Sequence, residues 1–228
     1  MKKLHNEQLK QQFIRSSGFL NQFSFDVSLD TQLFFFPANS YIVKENQPPT
    51  HLFYLVKGKA KLYDTLANGK LALIDFFSPP CFIGEMELVD ENQTAFSVQA
   101  IDDCWCLALA QKDCQKRLLS DTLFLQKLCI YFAHKNYRNI KASTKNQGYP
   151  LSQRLASFIL LTQNEGIYRE KHTQVAEYLG VSYRHLLYVF AHFVEKGYII
   201  KEKKHYLILD SEKLTQLAAE VKMRSPQE

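Results

Sequence analysis

Between Phe34 and Leu109 the apolar residues come in short runs that alternate with a period of two and are broken by turn-forming residues. The runs are Tyr41–Val43, His51–Val56, Ala60–Tyr63, Leu71–Phe77, Phe96–Ile101 and Trp105–Leu109. Between them stand Asn46-Gln47-Pro48-Pro49, Lys57-Gly58, Ala67-Asn68-Gly69 and Ser78-Pro79-Pro80. Asn68-Gly69 predicts a hairpin, because a type I′ turn needs positive φ at both central residues. Short strands at this spacing predict an antiparallel sandwich or barrel rather than βαβ units.

After Asp113 the period becomes helical. One short helix ends at Leu118-Leu119, and a longer one is predicted from Asp121 to Thr144, with Leu125, Leu128 and Phe132 in an apolar stripe and Ile140 further on. That stripe has to be buried, either against a second copy of the chain or against its own β-rich region. Asn146–Pro150 predicts a linker, since glycine ends helices and proline suits a first helical position. Leu151–Gln163 then predicts a compact helix with Leu151, Leu155, Phe158 and Ile159 on one face. Residues 1–28 carry a weaker, amphipathic pattern and read as a poorly specified lead-in.

Residues 172–193, HTQVAEYLGVSYRHLLYVFAHF, carry the functional signal. Val175, Ala176, Leu179 and Val181 supply the buried positions of a short helix and its turn. Gly180 falls where a tight helix–helix turn requires positive φ, and the small Ala176 lets a second helix approach. Ser182 is placed to cap that second helix. Leu186, Val189, Phe190 and Phe193 form its buried face, leaving Arg184, Tyr188 and Glu195 opposite, with Tyr183 and His185 near its start. In such a geometry the second helix offers its N-terminal side chains to the major groove. Gly197–Ile200 and His205–Leu209 predict a hairpin, a wing whose Lys203 and Lys204 are placed to meet phosphates.

Composition changes this picture little. Hydrophobic residues make up 46% of the chain and charged residues 22%, as in globular proteins, and the net charge is +5. Charge alone does not mark a nucleic-acid domain. One stretch stands out, because no acidic residue occurs between Asp121 and Glu165, while Lys127, Lys135, Arg138, Lys141, Lys145 and Arg154 do. It reads equally as a solvated helix face. The N-terminus is polar and unlike a secretory signal, and no apolar run approaches the roughly 20 residues needed to span a bilayer. A soluble, cytoplasmic protein without a membrane partner is expected. Five cysteines are an odd count, and structural disulfides are not expected in that compartment.

Together, HLFYLVKGKAKLY, the hairpin LANGKLALIDFF, CFIGEMELVDEN and the helix-turn-helix resemble the cyclic-AMP receptor/FNR superfamily of bacterial regulators, over roughly residues 30–210. The resemblance implies an α+β chain in three parts. These are an antiparallel β jelly-roll effector domain of the cyclic-nucleotide-binding kind with its lead-in (1–120), a dimerisation helix and hinge (121–148), and a winged helix-turn-helix (149–228). It implies a homodimer on a palindromic double-stranded DNA operator, with RNA polymerase as a partner and no enzymatic activity. Tyr183, Arg184 and Tyr188 match the superfamily's base-contacting positions, and His172, Thr173 and Ser182 its phosphate contacts.

Gly84-Glu85 matches the opening of the superfamily's phosphate-binding cassette, with Asn139 on the long helix as a further effector-pocket candidate. The cassette's closing arginine is missing, since the corresponding stretch is Asn92-Gln93-Thr94-Ala95-Phe96. A buried phosphate without a cation is costly, so an effector other than cyclic AMP is expected. The N-terminal cysteine group of the cluster-bearing members is missing as well. Cys81, Cys104, Cys106 and Cys129 match the number an iron–sulfur cluster needs, though not a standard spacing. The alternative is that Cys104 and Cys106, two apart on a strand, are small core residues. A cupin-like metalloenzyme would need several strand histidines, and His51 is the only one between Leu33 and Leu109. A ligand-sensing module that binds no DNA would leave the helix-turn-helix and wing without a role.

Overall fold

Central strands in the first half of the chain bury both faces, and this explains runs such as His51–Lys57 in which alternation gives way to four consecutive buried residues. The computed structural model describes residues 1–66, 69, 71–92, 95–219 and 221, with backbone alone for 142–147. The elements of the first half are β1 (Lys2–Leu4), α1 (Glu7–Ser17), β2 (Gln32–Phe36), β3 (Tyr41–Val43), β4 (His51–Lys57), β5 (Ala60–Thr65), β6 (Leu71–Phe77), β7 (Cys81–Ile83), α2 (Glu85–Val89), β8 (Ser97–Ala100), β9 (Cys104–Ala110) and α3 (Gln111–Leu119). Then come α4 (Thr122–Gly148), α5 (Leu151–Thr162), β10 (Ile167–Tyr168), α6 (His172–Tyr178), α7 (Tyr183–Glu195), β11 (Ile199–Glu202), β12 (His205–Ile208) and α8 (Ser211–Ala218). Contacts divide the chain into a unit of residues 1–70 and 74–135 and a unit of 136–228 with Leu71–Leu73. The division falls inside α4.

Two sheets form the first unit, one in the order β1-β2-β9-β4-β7 and one in the order β3-β8-β5-β6. Phe34, Phe36, Phe53, Leu55, Phe77, Val98 and Cys106 fill the space between them. The five-stranded sheet turns its other face, with Leu33, Leu52, Tyr54, Leu107 and Leu109, to a helical layer. Period two thus operates on β4 after all, with Phe53 and Leu55 on one face and Leu52 and Tyr54 on the other. The β5–β6 turn contains the Asn68-Gly69 signal; Ala67, Asn68 and Lys70 lie outside the described residues, and Gly69 has φ +75°.

The lead-in is more ordered than its pattern suggests. β1 pairs antiparallel with β2, matching Lys3 to Phe34, and Asn6 caps α1 by accepting a hydrogen bond from the Leu9 amide. Ile14, Phe19, Phe23 and Val27 join the helical layer with Phe124 and Leu128 of α4. Asp121 ties these pieces together, accepting from the Ser24 amide at 2.8 Å and the Leu123 amide at 3.0 Å. Short amphipathic pieces like these gain their order from packing rather than propensity.

The second unit is a helical domain with a three-stranded sheet ordered β10-β12-β11. Leu151, Leu155, Phe158 and Ile159 of α5 are all buried. The predicted linker at Asn146–Pro150 shrinks, since α4 continues to Gly148 and α5 begins at Leu151. Among the described residues no helix is long and apolar enough to cross a membrane.

Candidate nucleic-acid interface

The turn between α6 and α7 is built by local chemistry. The Val181 amide bonds the Ala176 carbonyl at 2.9 Å and the Gly180 amide the Glu177 carbonyl at 3.0 Å, closing α6 with a wrapped C-terminus. Gly180 sits at φ +63°, where a side chain would be strained. Ser182 then caps α7, its hydroxyl accepting from the His185 amide at 3.2 Å. Leu186, Val189, Phe190 and Phe193 form a buried face of α7, and Val175, Ala176 and Leu179 before the turn are buried as well. Val181, read as buried, is half-buried.

The other face of α7 is open. Tyr183, Arg184 and Tyr188 are exposed, Tyr188 by 73%, and Thr173 and Ser182 are exposed beside them. The wing is a two-residue hairpin. Glu202 pairs with His205, β11 extends two residues further than its pattern suggests, and Lys203 (φ +48°) and Lys204 stand exposed at the tip. His172 is half-buried. Its ring stacks on Phe190 at 4.1 Å and packs near Tyr206, and burial pulls its pKa below the usual histidine value. Held among aromatic rings, His172 contributes to the packing of the domain.

Arg154 carries a role its sequence context hid. It is buried on α5, and its Nε donates to the Tyr149 carbonyl at 3.0 Å and its Nη1 to the Leu179 carbonyl at the end of α6. A cation at the negative end of α6 braces the helix-turn-helix from behind. Of the other cations in the acid-free stretch, Lys127 and Lys141 are exposed, and the side chain of Lys145 lies outside the described residues.

In the β-domain, Gly84 (φ +87°) starts α2, and a Cβ there would lie 3.0 Å from the His51 carbonyl oxygen. Glu85 follows, only 3% exposed. Its carboxylate meets the Lys135 ammonium of α4 at 3.2 Å, and that ammonium also lies 5.3 Å from the centre of the Phe77 ring. Burial pushes the Glu85 pKa up, with Lys135 opposing the shift. Sequence reasoning named Lys135 only within the acid-free stretch and missed its pairing with Glu85, 50 residues away in the chain. Asn139, one turn beyond it on α4, is exposed. Glu85 is therefore engaged by the protein's own cation instead of being open to a ribose hydroxyl. The stretch Asn92–Phe96 carries no arginine; Gln93 and Thr94 lie outside the described residues.

The four thiols proposed for a cluster are not gathered. Cys81, Cys104 and Cys106 lie between the two sheets, and Cys129 is exposed on α4. Cys81 and Cys106 both register with Leu55, one on each side of β4. Burial pushes the Cys104 thiol up to about 12 and the Cys106 thiol well above its ordinary value. Among the described residues no group of three His, Cys, Asp or Glu could hold a metal ion.

Residues 33–121 match the family described as cyclic nucleotide-binding domain, and residues 153–217 match the Crp-like helix-turn-helix domain. The regulatory protein YeiL of Escherichia coli O157:H7 is 58% identical over 205 residues, covering 90% of this chain and 94% of that protein. The chain belongs to the CRP/FNR family of transcription regulators. Its helix-turn-helix is that family's DNA-binding domain, and the family is one of regulators rather than enzymes. A CRP-like cAMP-activated global transcriptional regulator of Mycobacterium tuberculosis is 22% identical, over 80% of this chain and 86% of its own. The fold is shared with a CRP/FNR regulator of Eubacterium rectale (TM-score 0.67, 14% identity, 85% of this chain and 92% of that one). It is shared too with a CRP/FNR regulator of Thermus thermophilus (TM-score 0.62, 18% identity, 82% and 98%).

Proposed function

We propose that this CRP/FNR regulator acts as a homodimer on a palindromic operator, in response to a signal other than cyclic AMP. The observation that carries the reading is the division of α7 into a buried apolar face and an open face bearing Tyr183, Arg184 and Tyr188. Arg184 is assigned a bidentate contact to guanine, the tyrosines other base-edge contacts, and Thr173, Ser182, Lys203 and Lys204 phosphate contacts. His172 supports the domain that presents them. In this reading residues 1–120 sense, 121–148 dimerise and 149–228 bind DNA, with RNA polymerase as the further partner that membership of the family suggests.

The stripe first expected to dimerise packs on its own domain instead. Leu128 is buried, and Leu125 and Phe132 are half-buried against the helical layer of the β-domain. A second row of α4, Ile130, Ala133, Tyr137 and Ile140, stays exposed, with 53%, 58% and 56% for Ile130, Tyr137 and Ile140. Its 3-4-3 spacing is that of a coiled-coil seam, which supports pairing with the same helix of a second copy. Two such copies would place their recognition helices about 34 Å apart on one face of the duplex.

Selecting bound sequences from a random DNA pool tests the reading. A two-fold symmetric motif, bound with steep salt dependence, is the expected result. Binding without sequence preference would refute it. On the selected operator, Arg184→Ala should lose about 1–3 kcal/mol of discrimination at one base pair per half-site. Lys203→Ala should weaken all sequences alike and flatten the salt dependence by about one unit of slope. A panel of mutated operators distinguishes the two patterns. Calorimetric titration of cyclic AMP should give no saturable heat, because Glu85 is committed to Lys135; tight one-site binding would contradict this.

A further inference from the structure

A cavity of about 490 Å³ opens on the β-domain, far in sequence from Gly84 and Glu85. It lies between the lead-in, the turn before β2 and the start of α3. Lys3, Leu4 and His5 come from β1 and the loop after it, Leu29 from the turn, Leu33 from β2 and Asp113 from α3. The match to the cyclic nucleotide-binding domain begins only at residue 33. Most of these walls are therefore a feature of this chain's lead-in, not of the family's effector domain.

The chemistry of the walls is dipolar. Three further lining charges are already paired, Lys10 and Glu7 with each other at 2.9 Å and Asp30 with Arg117 at 3.1 Å. Lys3 and His5, on the lead-in, and Asp113, on α3, make no ion pair among the described residues. The basic and acidic groups thus come from different elements, and Leu4 and Leu33 add apolar surface. Leu29 is 96% exposed beside them, an apolar side chain left for something to cover. The volume falls in the range of small-molecule sites.

We propose that this cavity binds a small zwitterion with an apolar side chain, a free amino acid or dipeptide. Its carboxylate meets Lys3 and His5, its ammonium meets Asp113, and its side chain covers Leu29. An anion alone would leave Asp113 unmet, and a cation alone would leave Lys3 unmet. The idea goes beyond the regulator reading and is tested without DNA, so either can fail by itself.

Titration calorimetry on the full chain would use L-leucine, L-phenylalanine and leucyl-leucine at millimolar concentration. 4-Methylpentanoate and 3-methylbutylamine, each carrying one of leucine's two charges, serve as comparison. Saturable one-site binding by at least one zwitterion is expected, with the singly charged compounds weaker by about tenfold or more, since each loses one charge-assisted contact. Lys3→Gln and Asp113→Asn, both at exposed positions, should each weaken that binding by a similar factor while leaving circular dichroism unchanged. The proposal is overturned by no heat from any zwitterion, by equal binding of the singly charged compounds, or by binding that survives both substitutions.

Discussion

Lys135→Met is expected to destabilise the β-domain by about 3–5 kcal/mol near neutral pH, because it strands the buried Glu85 carboxylate. The loss should shrink as the pH falls. Burial already favours the neutral acid, so the folded state holds this proton more tightly than the unfolded chain. Stability from this group is therefore greatest at and below the ordinary glutamate value of 4.5 and drains as the pH rises towards the folded one. Removing Lys135 raises the folded value further and widens that window. Adding Glu85→Gln removes the second charge and should bring stability back to within about 1–2 kcal/mol of the parent. Urea unfolding at pH 5 and pH 8 reads both effects, with Trp105 of β9, the single tryptophan of the sequence, as reporter for this domain. A loss that is the same at both pH values would show that Lys135 acts through packing alone.

Ile130→Glu combined with Tyr137→Glu is expected to break the proposed dimer into monomers. Both residues lie on the exposed row of α4, where neither supports the fold of its own chain, and each carboxylate would face its counterpart across a two-fold axis. Sedimentation should show the monomer mass with unchanged helicity. Operator affinity should fall by about 100-fold or more, since two linked half-sites become two independent ones. A variant that stays dimeric would place the interface elsewhere. Leu128 is unsuitable for this experiment, because it belongs to the core of the β-domain and its loss would unfold that domain first.

Asymmetry between these two predictions reflects what lies close in the chain and what does not. The helix-turn-helix could be read almost entirely from sequence, because its determinants sit within a few residues of each other. Gly180 supplies the turn, Ser182 the cap and Leu186, Val189, Phe190 and Phe193 the buried face, and each of these is a local rule of backbone and period. The strand runs and the wing hairpin were legible for the same reason. His172 lies on α6 as read, but its stacking was not legible, since its partners Phe190 and Tyr206 stand 18 and 34 positions away.

The sequence by itself determined the strand runs between Phe34 and Leu109 and the helix-turn-helix with its wing, that the second helix of the motif has one apolar and one polar face, and that the cassette has no arginine. Only the tertiary structure decided which apolar row of α4 packs on the β-domain and which stays exposed. A hydrophobic period states how many faces a helix can bury, but not what waits opposite each one. The same holds for Lys135 against Glu85, for Arg154 behind Leu179, and for the inward turn of Cys81, Cys104 and Cys106. Burial and charge pairing belong to segments that meet in space, and those meetings depend on the packing of both sheets and the helical layer together.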